Sequence, residues 1–222
     1  MLVDSHSHVN FKDFDEDRDE VVRRALAGSV SSPQVTWMIN VGTDYESSKK
    51  AIEIAEKYQE GVYASVGVHP SEINSKFEII SQRLTSLGLE NLKKLAESEK
   101  VVAIGEIGLD YKYLSKNKDH AKEEIIQQKE LFSEQIRLAQ ELNLPMIIHC
   151  RDAFFDILEI LEKQSRQRRP GLRCLRGVVH CFTGDIRQAE KFIGLGFHIG
   201  FTGIIFRESE KENLEGVIRN IP

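Results

Sequence analysis

Apolar and polar positions along the chain alternate between two rhythms. Short, almost unbroken apolar runs of strand length are separated by longer stretches in which apolar residues recur at helical spacing. The runs are Met1–Val9 (MLVDSHSHV), Thr36–Gly42 (TWMINVG), Val62–Val68 (VYASVGV), Val101–Ile107, Pro145–Cys150 (PMIIHC), Gly177–Phe182 and Gly196–Thr202. β-Branched residues inside the runs and turn residues at their ends favour strands there. The stretches between them, Phe14–Ala27, Glu46–Tyr58, Glu78–Ser98 with a break near Gly88, Ala121–Leu142, Ala153–Lys163, Asp185–Ile193 and Glu210–Asn220, read as helices. On the longest, Ile125, Phe132, Ile136 and Ala139 share one stripe.

Strand then helix, repeated seven times with strands apolar on both faces, predicts a parallel β/α architecture. No Pro-, Ser- or Gly-rich linker divides the 222 residues, so residues 1–222 are read as one domain. Eight full units with loops usually take about 250 residues. The expected fold is therefore a TIM-type (β/α) barrel with seven units visible and the eighth strand and helix missing. A doubly wound open sheet is the alternative, but it calls for a glycine-rich phosphate turn or a switch-point signature, and neither is present.

Composition narrows the class without choosing a chemistry. With 41% hydrophobic and 29% charged residues and a mean hydropathy of -0.33, the chain reads as soluble and globular. It has no apolar run of the roughly 18 residues a membrane helix needs, and no leader-like start. Three cysteines, Cys150, Cys174 and Cys181, show no C-x-x-C spacing and fit a reducing, cytoplasmic setting. A net charge of -5 gives no global field for nucleic acid, so phosphates would have to be held locally. Nothing marks a protein partner, and a monomer is expected.

The polar residues of the strands gather at one end. His6 and His8 close the first run, His69 the third, Glu106 the fourth, His149 the fifth, and His180 lies in the sixth. C-terminal strand ends converge on the active-site face of a β/α barrel. Five of the seven histidines therefore aim at one mouth, whereas His120, in a helix, and His198, early in the last strand, do not. Alternation puts His6 and His8 on one face, with Asp4 two residues deeper as a hydrogen-bonding neighbour rather than a ligand. Histidines and a carboxylate from several strands can hold two divalent ions about 3.5–4 Å apart, the carboxylate bridging. Glu106 follows the apolar run Val101–Gly105, where an unneutralised charge would cost on the order of several kcal/mol. A buried ion pair with an arginine is the competing explanation. Imidazoles suit Zn or Mn, while phosphate chemistry commonly uses Mg, so the identity of the metal stays open.

Arg151, two residues after His149, should point into the mouth, where a guanidinium can clamp a phosphate; a structural ion pair is the alternative. His69, before Pro70, is placed to hold a phosphate oxygen or to help move a proton. Phe182 reads as packing at the top of the core, with base stacking as the alternative. Cys150 and Cys181 each neighbour a histidine of the set, but adjacent strand residues face opposite sides, so both thiols are expected under helices. The basic stretch Lys163–Arg176, with Arg166, Arg168, Arg169 and Arg173, joins a helix to the next strand and so belongs to the opposite barrel face, as a solvated charge cluster.

The segments DSHSHV, VGVHP, GEIGLDY, IIHCRD, HCFTG and GFHIGFTG, in this order, resemble the TatD family of metal-dependent deoxyribonucleases, within the amidohydrolase-like group of barrels. The likeness runs from Leu2 to Pro222. It implies that His6 and His8 bind one metal, that Glu106 bridges, and that His149 and His180 bind the second. It also implies cleavage of DNA phosphodiesters, often as a 3′-to-5′ exonuclease acting on single strands or 3′ ends. The residues themselves fit that chemistry: an activated water attacks phosphorus in line while metals offset the developing charge.

The family pattern continues into an eighth strand with a Glu-Thr-Asp motif whose Asp completes the first metal site, whereas this sequence stops at Ile221-Pro222. No other acid takes that role by motif, Asp44 and Asp110 included. The chain as written is thus expected to leave its outer strands unpaired, to lack one carboxylate beside His6 and His8, and to be weakly active. Two other readings compete: a metal hydrolase of the same group acting on a non-nucleotide ester or amide, and a non-enzymatic remnant.

Overall fold

Near-continuous apolar runs need partners on both edges and cover on both faces, and the chain meets most of that need with one parallel sheet. The computed structural model describes residues 2–29, 33–75, 86–166 and 174–222. Among them seven strands pair in chain order: β1 (Leu2–Ser7), β2 (Val35–Val41), β3 (Val62–Val66), β4 (Val101–Asp110), β5 (Met146–Arg151), β6 (Gly177–Val179) and β7 (Phe197–Ile199). Every neighbouring pair is parallel. The connections carry α1 (Arg18–Ala27), α2 (Tyr45–Ala55), α3 (Ser71–Ser75), α4 (Ser86–Leu95), α5 (Lys118–Leu142), α6 (Phe154–Arg166), α7 (Ile186–Gly194) and α8 (Glu208–Asn220). Local chemistry sets several helix starts. Asp44 and Asp185 each form a capping box, with Ser47 and Gln188, while Asn117 accepts from the amides of Asp119 and His120.

The sheet is curled. In a flat sheet β1 and β6 would lie five strand spacings apart, roughly 24 Å. Here the ring of His6 on β1 stacks on that of His180, just past β6, with centroids 3.7 Å apart and planes 3° from parallel. The TIM-type arrangement is present as an incomplete barrel, with β1 and β7 as the edges of the described sheet. Inside the curl, Val41, Ala103 and Ile147 form a small apolar cluster with Ile39 and Val178. The main core lies between the sheet and its helices.

That interior cluster fixes which strand residues point inward, and the rule works for β5 and β6: Ile147 and His149 share one parity, as do Val178 and His180. It fails for β4. Ala103 points inward, so strict alternation would send Glu106 outward. The register between β4 and β5 shifts between Ile104 and Ile107, and this irregularity turns Glu106 into the barrel. Gly108 then lets β4 and β5 approach: its φ is +144°, and a Cβ there would sit 1.9 Å from the carbonyl oxygen of His149.

Some elements depart from the sequence pattern. β4 runs to Asp110, three residues beyond the expected end. The break near Gly88 is absent, since α4 passes through it, while residues 78–85 of that expected helix lie outside the described residues. α3 follows His69-Pro70 where only a connection was expected. β1 is not buried on both faces: Leu2 and Val3 are 45% and 42% exposed. No helix among the described residues is long and apolar enough to cross a membrane.

Candidate metal centre

Glu106 is the hub. It is buried, and five imidazoles surround it: His180 Nε2 and His149 Nδ1 lie 2.6 and 2.9 Å from Oε1, with His69 Nε2 at 3.6 Å. His6 Nε2 and His8 Nε2 lie 3.4 and 3.6 Å from Oε2. All five histidines expected at the mouth are therefore brought together, and His120 and His198 stand exposed elsewhere. The arginine alternative fails, because among the described residues the cationic partners within 4.0 Å of Glu106 are all imidazoles. Burial works to raise the Glu106 pKa, but hydrogen bonds from His149, His180, His6 and His8 outweigh it and hold the carboxyl well below the usual range. A buried, ionised carboxylate on which several imidazole nitrogens converge is the donor set a divalent ion takes.

The ligand atoms within 4.8 Å of one another form two triads, His6–Glu106–His180 and His69–Glu106–His149. This grouping differs from the pairing implied by resemblance, and the second nitrogen of each ring helps interpret it. His8 Nδ1 lies 3.2 Å from the carbonyl oxygen of Val41, which can only accept, so Nδ1 carries a proton and Nε2 is the nitrogen turned toward Glu106. His69 is the reverse. The Ser71 amide donates to its Nδ1 at 3.1 Å, leaving the proton on Nε2, which faces Glu106. Burial pulls His69 down to about 4, so it is a neutral N–H donor at ordinary pH.

His149 lies between two carboxylates, with Glu106 at Nδ1 and Asp110 Oδ2 3.1 Å from Nε2. Burial alone would depress it, but Asp110 and Glu106 push it up to about 9. Burial also lowers His180, and its contact with Glu106 only partly offsets this. Asp110 is the residue that sequence reasoning left unassigned. Four residues past Glu106 on one strand, it shares that face once β4 is extended. Asp44, its rival, is spent on capping α2. Asp4 accepts from the His6 amide at 3.0 Å, the neighbour's role expected of it.

One helix fixes much of this geometry. Gln135 of α5, fully buried, accepts from the amide of Val68 at 2.8 Å and donates to its carbonyl at 3.0 Å, next to His69. Gln128, also fully buried, does the same for Asp110, at 2.9 and 3.0 Å. Glu124 accepts from the amide of Ser115 at 2.8 Å. Thus α5 replaces the missing sheet partners at two strand ends.

Arg151 is exposed, with its guanidinium carbon 5.5 Å from the centre of the Tyr113 ring. Phe182 is 1% exposed, among Phe154, Phe192 and Phe201, so it packs in the core and offers no platform. Cys150 is buried, and burial pushes its thiol up, away from nucleophilic use. Cys181 is a correction: its φ is 46° and its sulfur lies 3.2 Å from Thr202 Oγ1, half-exposed rather than under a helix, because the chain has already left β6. In the basic stretch, Arg166 pairs with Glu162 and Arg176 binds Asn143, while Arg168, Arg169 and Arg173 lie outside the described residues.

A curled β/α barrel with a buried carboxylate ringed by histidines at its strand ends defines a metal-dependent hydrolase. The family model described as TatD related DNase matches residues 3–222, and the chain belongs to that family. It is 36% identical over its whole length to the "Uncharacterized metal-dependent hydrolase YabD" of Bacillus subtilis, covering 76% of that protein. It is 35% identical to the "3'-5' ssDNA/RNA exonuclease TatD" of Cronobacter sakazakii, covering all of this chain and 74% of that one. Among solved structures, YJJV, a TatD homolog from Escherichia coli, superposes with a TM-score of 0.76 at 31% identity, covering all of this chain and 75% of that one.

Proposed function

We propose that the protein hydrolyses phosphodiester bonds of DNA, from the 3′ end of single strands, at a centre of two divalent ions (Mg, Mn or Zn). The observation that carries this reading is the buried Glu106 carboxylate ringed by five imidazoles, with no lysine or arginine among its partners in the described residues. The family membership and the exonuclease name of a 35% identical relative support it. Bound divalent ions would supply Lewis acidity, lowering the pKa of a water and offsetting charge on phosphate.

In this reading His6 and His8 would hold one ion, His149 and His180 the other, and Glu106 would contribute to both. His8, with Nδ1 held on the Val41 carbonyl, presents Nε2 to the centre. Asp110 keeps a proton on His149 Nε2 and orients Nδ1 inward, the usual carboxylate–histidine support of a metal ligand. His69, with its proton on Nε2, donates to a phosphate oxygen and takes no metal. Arg151 holds a flanking phosphate from the rim. The protein works as a monomer in the cytoplasm.

The test is metal-dependent cleavage of a 3′-labelled single-stranded oligonucleotide, with EDTA and the Glu106→Ala variant as controls. Both should lower turnover by at least about a thousandfold, since the shared ligand serves both ions. Undiminished cleavage by Glu106→Ala would overturn the bridging role.

A further inference from the structure

Among the described residues, every exposed phenylalanine and tyrosine lies on a connection from a strand to the next helix or in the first turn of that helix. These are Phe11 after β1, Tyr45 after β2, Tyr113 after β4, Phe155 after β5 and Phe206 after β7. All five connections open on the face that carries Glu106 and the histidines. The helix-to-strand connections of the opposite face carry none among the described residues; the exposed Trp37 lies within β2, paired in register with Val3. Aromatic surface concentrated around one mouth is the pattern of a binding rim rather than of scattered exposure.

Tyr113 is the member with specific geometry. It is 63% exposed, three residues past Asp110, and the Arg151 guanidinium carbon lies 5.5 Å from its ring centre. Arg151 is itself two residues past His149 on β5, so the pair stands at the edge of the metal centre. Aromatic rings and guanidinium planes both stack on nucleobases, with little regard to sequence. An ion-paired arginine would carry no such preference, and the described residues give Arg151 an aromatic partner rather than an acidic one.

We propose that Tyr113, with Arg151 beside its ring, forms a subsite for one unpaired nucleobase of a single-stranded nucleic acid, next to the phosphate being cleaved. The proposal rests on the nuclease reading above. A base engaged in a duplex is already stacked and cannot lie on the ring, so this subsite discriminates against double strands. The 2′-hydroxyl plays no part in stacking, so DNA and RNA are treated alike here.

The test is equilibrium binding of the metal-loaded full chain to a hydrolysis-resistant, phosphorothioate-linked oligonucleotide, scanned with a single abasic site. Wild type should lose roughly tenfold in affinity when the abasic site falls at one position, equally in DNA and RNA. Tyr113→Ala should bind the intact oligonucleotide about as weakly and ignore that position, and Tyr113→Phe should restore the wild-type profile. Identical abasic profiles in wild type and Tyr113→Ala would overturn the subsite while leaving the nuclease reading intact. Absence of any oligonucleotide binding, from a protein that still hydrolyses bis(4-nitrophenyl) phosphate, would overturn both.

Discussion

The two sides of the metal centre are built differently. On the side formed by β3, β4 and β5, Glu106, Asp110 and His149 stand on buried strands and His69 follows the end of β3, with α5 gripping the chain at Asp110 and Val68 through Gln128 and Gln135. On the other side, His6 and His8 come from β1, an edge strand with register shifts between Leu2 and Val3 and between Asp4 and Ser7. There the His6 amide turns back on Asp4 of its own strand, and the buried His6 Nδ1 has no hydrogen-bond partner among the described residues. The gripped side therefore keeps its geometry without metal. The edge side depends on Glu106, Val41 and whatever ion it holds to do the same.

The most direct way to break this contrast is to remove the grip. Gln128→Leu leaves the buried amide and carbonyl of Asp110 unpaired and Gln135→Leu the part-buried ones of Val68, and they should destabilise the metal-free protein by about 2–4 and about 1–3 kcal/mol, read from urea unfolding. A loss below about 0.5 kcal/mol would mean that α5 supports the site no more than β1 does.

A smaller effect sharpens the chemistry of the gripped side. His149 is raised from 6.5 to about 9, so in the metal-free protein it is protonated at neutral pH. A metal taking Nδ1 must displace that proton, so affinity should rise about tenfold per pH unit up to about 9, with roughly one proton released. Calorimetry in buffers of different ionisation enthalpy counts it; zero release would contradict the assignment. The same shift makes a linked prediction without metal. Its folded pKa lies above its unfolded value, so the stability His149 contributes is full below about 6.5 and is lost as pH rises through about 9.

The smallest expected effect belongs to the edge. Val3→Thr, on an exposed position of β1, should change stability by no more than about 0.5 kcal/mol in the same urea assay. A cost above about 2 kcal/mol would show that β1 is held as firmly as β4.

The order of strands and helices was legible because period-2 and period-3.6 patterns survive any local irregularity. The five histidines were legible because each sits at or just past a strand end. What was hidden depends on geometry rather than pattern. The register shift in β4 decides the direction of Glu106, and nothing in VVAIGEIGLD marks it. Asp110 stayed unassigned because β4 was expected to stop at Ile107. Gln128 and Gln135 look like solvent-facing helix residues when read singly. A usable signal existed: they lie seven residues apart, interleaved with the buried Leu131, Phe132 and Ile136, so they ride the apolar stripe. Cys181 was misplaced because β6 ends at Val179, two residues before it.

The grip of α5 is made entirely to main-chain atoms, and that gives it an unusual kind of tolerance. A tether that reads amides and carbonyls is blind to which side chain stands at position 68 or 110, so those positions can change identity while the strand ends stay put. It is strict about spacing instead. One residue inserted between Val66 and Val68, or between Ile107 and Asp110, would present the wrong peptide to the glutamine and swing His69 or Asp110 out of line. In this part of the molecule the count of residues matters more than their kind.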